Sequence, residues 1–194
     1  IPSNAATWDA GIAQPDVNGN SRIPGPGDII ELSAGTSTTA SVAGTRNDLK
    51  INNILGSSGN RIIIRAPTTG RIIIRRSSAS AGGFVFELEK CQHFDLDGST
   101  HDRGIALSPD GKRHAIKIMY SISGVDSPSH WLKFSDSGGA SYSGTRNCTI
   151  RYLEIDGGNP TFSSNGIVIG SNTGALALTY PGAWQENMIF EHNY

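Results

Sequence analysis

The sequence predicts an all-β chain whose strands form the sides of a parallel solenoid. Three observations carry this reading. Charged residues make up only 17% of the 194 positions and glycine occurs 24 times, a composition of short strands joined by many turns. Short β-branched or apolar runs recur at intervals of about 10 residues between Ile63 and Lys117, with turn residues between them. Finally, the segment "CQHFDLDG" (Cys91–Gly98) returns as "IRYLEIDG" (Ile150–Gly157).

In chain order, residues 1–27 are rich in Pro, Gly and Asn and read as a wrapping cap, with a short helix around Trp8 between Thr7 and Ala13. Residues 28–194 read as the coils. Their predicted strands begin with Ile29–Leu32, Ile62–Ile64, Ile72–Ile74, Phe84–Leu88 and Phe94–Leu96. They continue with Ile105–Leu107, Ile116–Ile118, Leu132–Phe134, Ile150–Ile155, Ile167–Ile169, Leu176–Leu178 and Met188–Phe190. The phrase Arg-Ile-Ile-Ile-Arg occurs twice, at Arg61–Arg65 and Arg71–Arg75, separated by "APTTG". The two copies read as neighbouring sides of one coil, with "APTTG" as the corner and the outer isoleucines of each run pointing inward; one hairpin over a five-residue loop is the alternative.

Many short strands at even spacing fit an antiparallel sandwich as well as a solenoid. The internal resemblance favours the solenoid, because each coil buries its inner face only by stacking on the next. Aligning the two copies sets Phe94 over Leu153, Leu96 over Ile155 and Asp97 over Asp156. A weaker third copy is "MIFEHNY" (Met188–Tyr194), with Asn193 at the turn. The final "ENMIFEHNY" reads as a strand arriving at its corner, so the expectation is that further chain, its own or another's, covers that end.

The formal net charge is −1, so no global field favours nucleic acid or an anionic membrane. No apolar stretch approaches the roughly 20 residues that span a bilayer. Cys91 and Cys148 have no metal-binding spacing and are either buried thiols or a disulfide. No HExxH and no GxSxG occurs.

"PGPGDIIELSAGT" (Pro24–Thr36), "GSSGNRIIIRAPTTGRIIIRR" (Gly56–Arg76) and the segment Phe94–Gly98 resemble the entry coils of the pectate-lyase-like superfamily. Within it they are most similar to the polysaccharide lyase family of alginate lyases and chondroitinase B. The resemblance implies a right-handed single-stranded parallel β-helix that is secreted or held at the cell surface or in the periplasm. It also implies a lyase that cleaves an acidic, uronate-containing polysaccharide by β-elimination. In such chemistry a base removes the proton beside the uronate carboxylate, while Ca²⁺ or arginine stabilises the developing enolate. A non-catalytic glycan-binding or structural β-helix, such as a spike, adhesin or surface module, is the alternative, because fold does not fix function.

Candidate residues follow from alternation and from the copies. Lys117, Lys133 and Arg151 alternate with apolar neighbours and should point outward. Stacked on one face, they would form a basic stripe for uronate carboxylates and supply the catalytic base. Trp131, Tyr152 and Trp184 are candidate sugar-stacking platforms, with core filling as the plain alternative. Asp97, Asp156 and Glu191 are candidate Ca²⁺ ligands, set against the simpler reading of Asp-Gly as a turn whose carboxylate accepts backbone amides.

Overall fold

A computed structural model describes residues 1, 7–33, 45–47, 49–75, 84–119, 130–135, 144–156, 165–169 and 186–194. In chain order its strands are β1 (Thr7–Asp9), β2 (Gln14–Pro15), β3 (Ser21–Arg22), β4 (Ile29–Glu31), β5 (Thr45–Asn47) and β6 (Leu49–Asn52). Next come β7 (Ile62–Arg65), β8 (Ile72–Arg75), β9 (Phe84–Glu89), β10 (Gln92–Asp97) and β11 (Ile116–Met119). The last are β12 (His130–Ser135), β13 (Arg146–Arg151), β14 (Leu153–Asp156), β15 (Asn165–Ile169) and β16 (Glu186–Glu191).

These strands build three sheets and one small hairpin. Sheet 1 has the order β1-β6-β9-β12-β15, sheet 2 the order β4-β7-β10-β13-β16, and sheet 3 the order β5-β8-β11-β14. The strands of all three pair in parallel, and β2–β3 is an antiparallel hairpin. From β4 onward the chain visits sheets 2, 3 and 1 in fixed rotation and returns to each sheet beside the strand it left there. Parallel strands cannot be joined by tight hairpins, and this rotation is compatible with a solenoid path. It excludes an antiparallel sandwich for the described residues.

The two Arg-Ile-Ile-Ile-Arg runs fall on different sheets: β7 pairs with β4 and β10, β8 with β5 and β11. They do not form a hairpin. Ile62, Ile64, Ile72 and Ile74 are fully buried, while Ile63 and Ile73 are half-buried, as the period of two in a strand requires.

Registered pairing turns these buried positions into columns. In sheet 2, Ile64, Leu96, Ile150 and Phe190 are consecutive partners, as are Ile62, Phe94, Cys148 and Met188. In sheet 3, Ile74, Ile118 and Ile155 follow one another. In sheet 1, Leu49, Phe86 and Leu132 do the same. Phe134 of sheet 1 meets Phe190 of sheet 2 edge-on, with ring centroids 5.8 Å apart, so the two sheets face one core. Each fully buried aliphatic side chain contributes about 1.5–3 kcal/mol of transfer free energy.

The corners rest on left-handed residues at equivalent positions. His93, Asn147 and Asn187 follow paired residues of β10, β13 and β16 and have φ of 51°, 53° and 51°. Tyr152 and His192 leave β13 and β16 at φ 56° and 52°. Asn53 and Lys90 do the same where sheet 1 ends, at 59° and 53°. Asn and His tolerate this region better than most side chains. Asn193 locks the last corner: its Oδ1 accepts from the Leu153 amide at 2.9 Å and its Nδ2 donates to the Ile150 carbonyl at 2.9 Å. The turn expected at Asn193 is thus closed by its own side-chain amide.

Several expectations are corrected. Leu96 lies beside Ile150, and Ile155 lies beside Ile118. The recurring segment therefore straddles a corner in its second copy, and matching letters across that corner gave a false register. Trp8 is not helical: it sits in β1 opposite Ile51 and is buried, so sheet 1 begins inside the expected cap. Ile105–Leu107 is no strand. It belongs to a turn-rich loop in which Ile105 is buried and Leu107 is 56% exposed. The cysteine expectation, by contrast, is met: Cys91 and Cys148 are both buried free thiols, the first of the two readings open from their spacing. Burial pushes the Cys148 thiol up to about 12 and raises that of Cys91 as well. The predicted strand Leu176–Leu178 lies outside the described residues.

Candidate functional site

The outward positions of each sheet form rows one strand apart, and these rows hold nearly all the chemistry. On sheet 2 the register sets Glu31, Arg65, Asp97, Arg151 and Glu191 in one line. Their charges alternate in sign. Arg65 meets Glu31 at 3.1 Å, while Arg151 donates from Nη2 to Asp97 at 2.8 Å and approaches Glu191 at 3.7 Å. Beside this row Arg61 holds Asp95 at 2.7 Å and donates to the Phe94 carbonyl. Arg65 and Arg151 keep 46% and 36% of their side-chain surface exposed.

Burial raises the Asp97 carboxyl, but hydrogen bonds from the Ser99 amide and side chain and from Arg151 outweigh it, leaving it below the usual carboxylate range. For Arg151, desolvation is outweighed by Asp97, and the guanidinium is held above its ordinary value.

Sheet 1 carries a different arrangement. Glu87 lies between Lys50 and Lys133 in the register, at 3.5 Å and 3.2 Å from their ammonium groups. It accepts the Ser135 hydroxyl at 2.6 Å and is only 3% exposed. Lys50 also pairs with Glu89. A buried carboxylate is tolerated only when it is paired and hydrogen-bonded, and here both conditions hold. Desolvation alone would lower Lys50, but Glu89 and Glu87 reverse it, so the ammonium is held above its usual range.

On sheet 3, Lys117 binds Glu154 at 2.7 Å and Asp156 at 2.8 Å. Glu154 also takes Arg71 and the Ser108 hydroxyl. Desolvation of Lys117 is again outweighed by its two carboxylates, so its pKa is raised.

The expected basic stripe is therefore absent. Lys117 belongs to sheet 3, Lys133 to sheet 1 and Arg151 to sheet 2, because strands adjacent in sequence occupy different sides. The acids separate likewise: Asp97 and Glu191 share Arg151, whereas Asp156 lies on sheet 3 with Lys117. Asp97 also accepts the Ser99 amide at 2.9 Å, the turn contact expected of Asp-Gly. Among the described residues no three His, Cys, Asp or Glu side chains converge as a metal site would need. The three proposed ligands thus do not fit a common Ca²⁺ site.

Of the aromatic candidates, Tyr152 stacks on His192, with centroids 5.0 Å apart and planes 17° apart. Trp184 and the side chain of Trp131 lie outside the described residues.

Sequence reading missed Lys50, Glu87, Arg61 and Arg65. Their signal was alternation, in "LKIN", "FELE" and "RIIIR", combined with a register that only the fold supplies. No protein family model matches the chain, and neither a curated protein nor a solved structure does.

Proposed function

We propose that this chain is a secreted or surface-held, right-handed parallel β-helix that binds an acidic, uronate-containing polysaccharide across the outer face of sheet 2. The observation that supports this is the half-exposed arginine row, Arg65 and Arg151, set among carboxylates. A guanidinium offers a planar fork that receives a carboxylate on two donors. A polyuronate laid along the row exchanges its carboxylates for those of Glu31 and Glu191, the most exposed acids in it. Binding is favoured over cleavage because an abstracting lysine needs a depressed pKa, and Lys117 and Lys50 are pushed the other way.

Cleavage by β-elimination is the second reading. The observation that favours it is Lys133, whose ammonium lies 3.2 Å from the buried Glu87 carboxylate that Lys50 also approaches.

The test titrates the protein with alginate, pectin and chondroitin, with and without chelator, following both heat of binding and the ultraviolet absorbance of unsaturated uronates. Binding without absorbance, weakened about tenfold by Arg65→Ala or Arg151→Ala and steeply reduced by salt, is the expected result. Absorbance that grows with time and vanishes in Lys133→Ala establishes the lyase. No binding to any acidic glycan ends both readings.

A further inference from the structure

The outer face of sheet 2 carries its charges in phase with its strands. Beside the row of Glu31, Arg65, Asp97, Arg151 and Glu191 runs a second outward row, two residues earlier on each strand. It consists of Ile29, Ile63, Asp95, Thr149 and Ile189. The middle strand β10 is therefore acidic in both rows. Its neighbours β7 and β13 each present an arginine in the first row and an uncharged side chain, Ile63 or Thr149, in the second. Asp95 is held by Arg61 at 2.7 Å and Asp97 by Arg151 at 2.8 Å.

Neighbouring strands lie about 4.8 Å apart, so the backbones that carry Arg65 and Arg151 stand roughly 9.5 Å apart. One strand spacing is close to the length of a pyranose unit, and two are close to that of a disaccharide. A glycan lying across the strands thus sets successive sugars on an arginine, an acid pair and an arginine. The guanidinium fork receives a carboxylate on two donors. An ionised carboxylate only accepts hydrogen bonds, so the step between the arginines suits hydroxyl or amide N–H donors and opposes a further carboxylate.

We infer that this face selects a polysaccharide in which a uronate alternates with an uncharged sugar rich in hydrogen-bond donors. The uronates meet Arg65 and Arg151, and the uncharged sugar between them meets Asp95 and Asp97. A homopolyuronate carries a carboxylate on every unit, and the one between the arginines faces the two aspartates or turns away from the rows. Asp95 and Asp97 are thus specificity-determining residues, acting by repulsion against the wrong chain as well as by attraction to the right one. The inference deepens the sheet 2 reading given above and rests on it.

The probes are hexasaccharides of hyaluronan, in which glucuronate alternates with an N-acetylated amino sugar, and of polygalacturonate, compared by titration calorimetry at low salt. Charge count alone favours the galacturonate oligomer, which carries twice as many carboxylates. The expected result is the opposite: the hyaluronan oligomer binds about fivefold more tightly. Asp95→Asn and Asp97→Asn should each shrink that ratio and the double substitution should reverse it, with circular dichroism confirming that the variants fold. Galacturonate binding to the parent chain as tightly as hyaluronan or more so, or a ratio unchanged in the double variant, overturns the inference while the sheet 2 reading stands. Absence of binding by both oligomers ends that reading and the inference with it.

Discussion

Two glycines fix how closely neighbouring strands approach at the corners. A Cβ on Gly56 would stand 2.1 Å from the His93 carbonyl oxygen, and one on Gly98 would stand 2.2 Å from that of Tyr152. The obstacle in each case is the backbone of a left-handed corner residue whose neighbours in the chain are held in parallel pairing, so it has little freedom to step aside. Gly59 has no neighbour within 4 Å. Gly56→Ala and Gly98→Ala should each cost about 2–3 kcal/mol, lowering the thermal midpoint by roughly 5–10 °C, while Gly59→Ala stays near neutral. Thermal unfolding followed by circular dichroism checks all three. The sequence announced Gly98 as a turn residue, but its reason is a close approach by a residue more than fifty positions later, which no local pattern contains.

At the scale of the element, β6, β7 and β9 to β14 carry an apolar face inward and a charge outward that is answered on an adjacent strand. Glu87 is the sharpest case because it is 3% exposed with a lysine on either side. Glu87→Ala leaves Lys50 and Lys133 without that carboxylate and should cost about 3 kcal/mol, whereas Glu87→Gln keeps the Ser135 contact and should cost less. Urea unfolding of the two variants measures the difference.

Asp97 and Glu154 supply the pH dependence. Their folded pKa values lie below the unfolded 3.8 and 4.5. The stability they contribute is therefore fully present above those unfolded values, and it is lost as pH falls through the depressed folded ones. Lys117 acts at the other extreme: its folded pKa lies above 10.5, so its contribution holds below pH 10.5 and fades as pH rises past it. Midpoints measured from neutral pH down to about pH 2 should fall less steeply in Asp97→Asn and Glu154→Gln than in the parent chain.

The whole molecule shows which level of organisation a sequence exposes. Strand content, inward isoleucines and the separation of the two Arg-Ile-Ile-Ile-Arg runs were legible because a period of two and a turn signal are local. The register was not legible, because "IRYLEIDG" bends at Tyr152 and puts its halves on two sheets. From that one hidden corner came the false pairing of Leu96 with Ile155. The basic stripe failed for a related reason: Lys117, Lys133 and Arg151 share an alternation pattern but not a side. What replaces it is a set of charge rows, of which the sheet 2 row is the most exposed.

Everything above the residue scale depends on parallel strands meeting in the stated register, and nuclear Overhauser spectroscopy of a methyl- and amide-labelled sample tests that directly. Methyl contacts are expected from Leu96 to both Ile64 and Ile150, and from Ile118 to both Ile74 and Ile155. Strong α-proton to α-proton cross-peaks between neighbouring strands of sheet 2, or a direct Leu96–Ile155 contact in place of Leu96–Ile150, would contradict it.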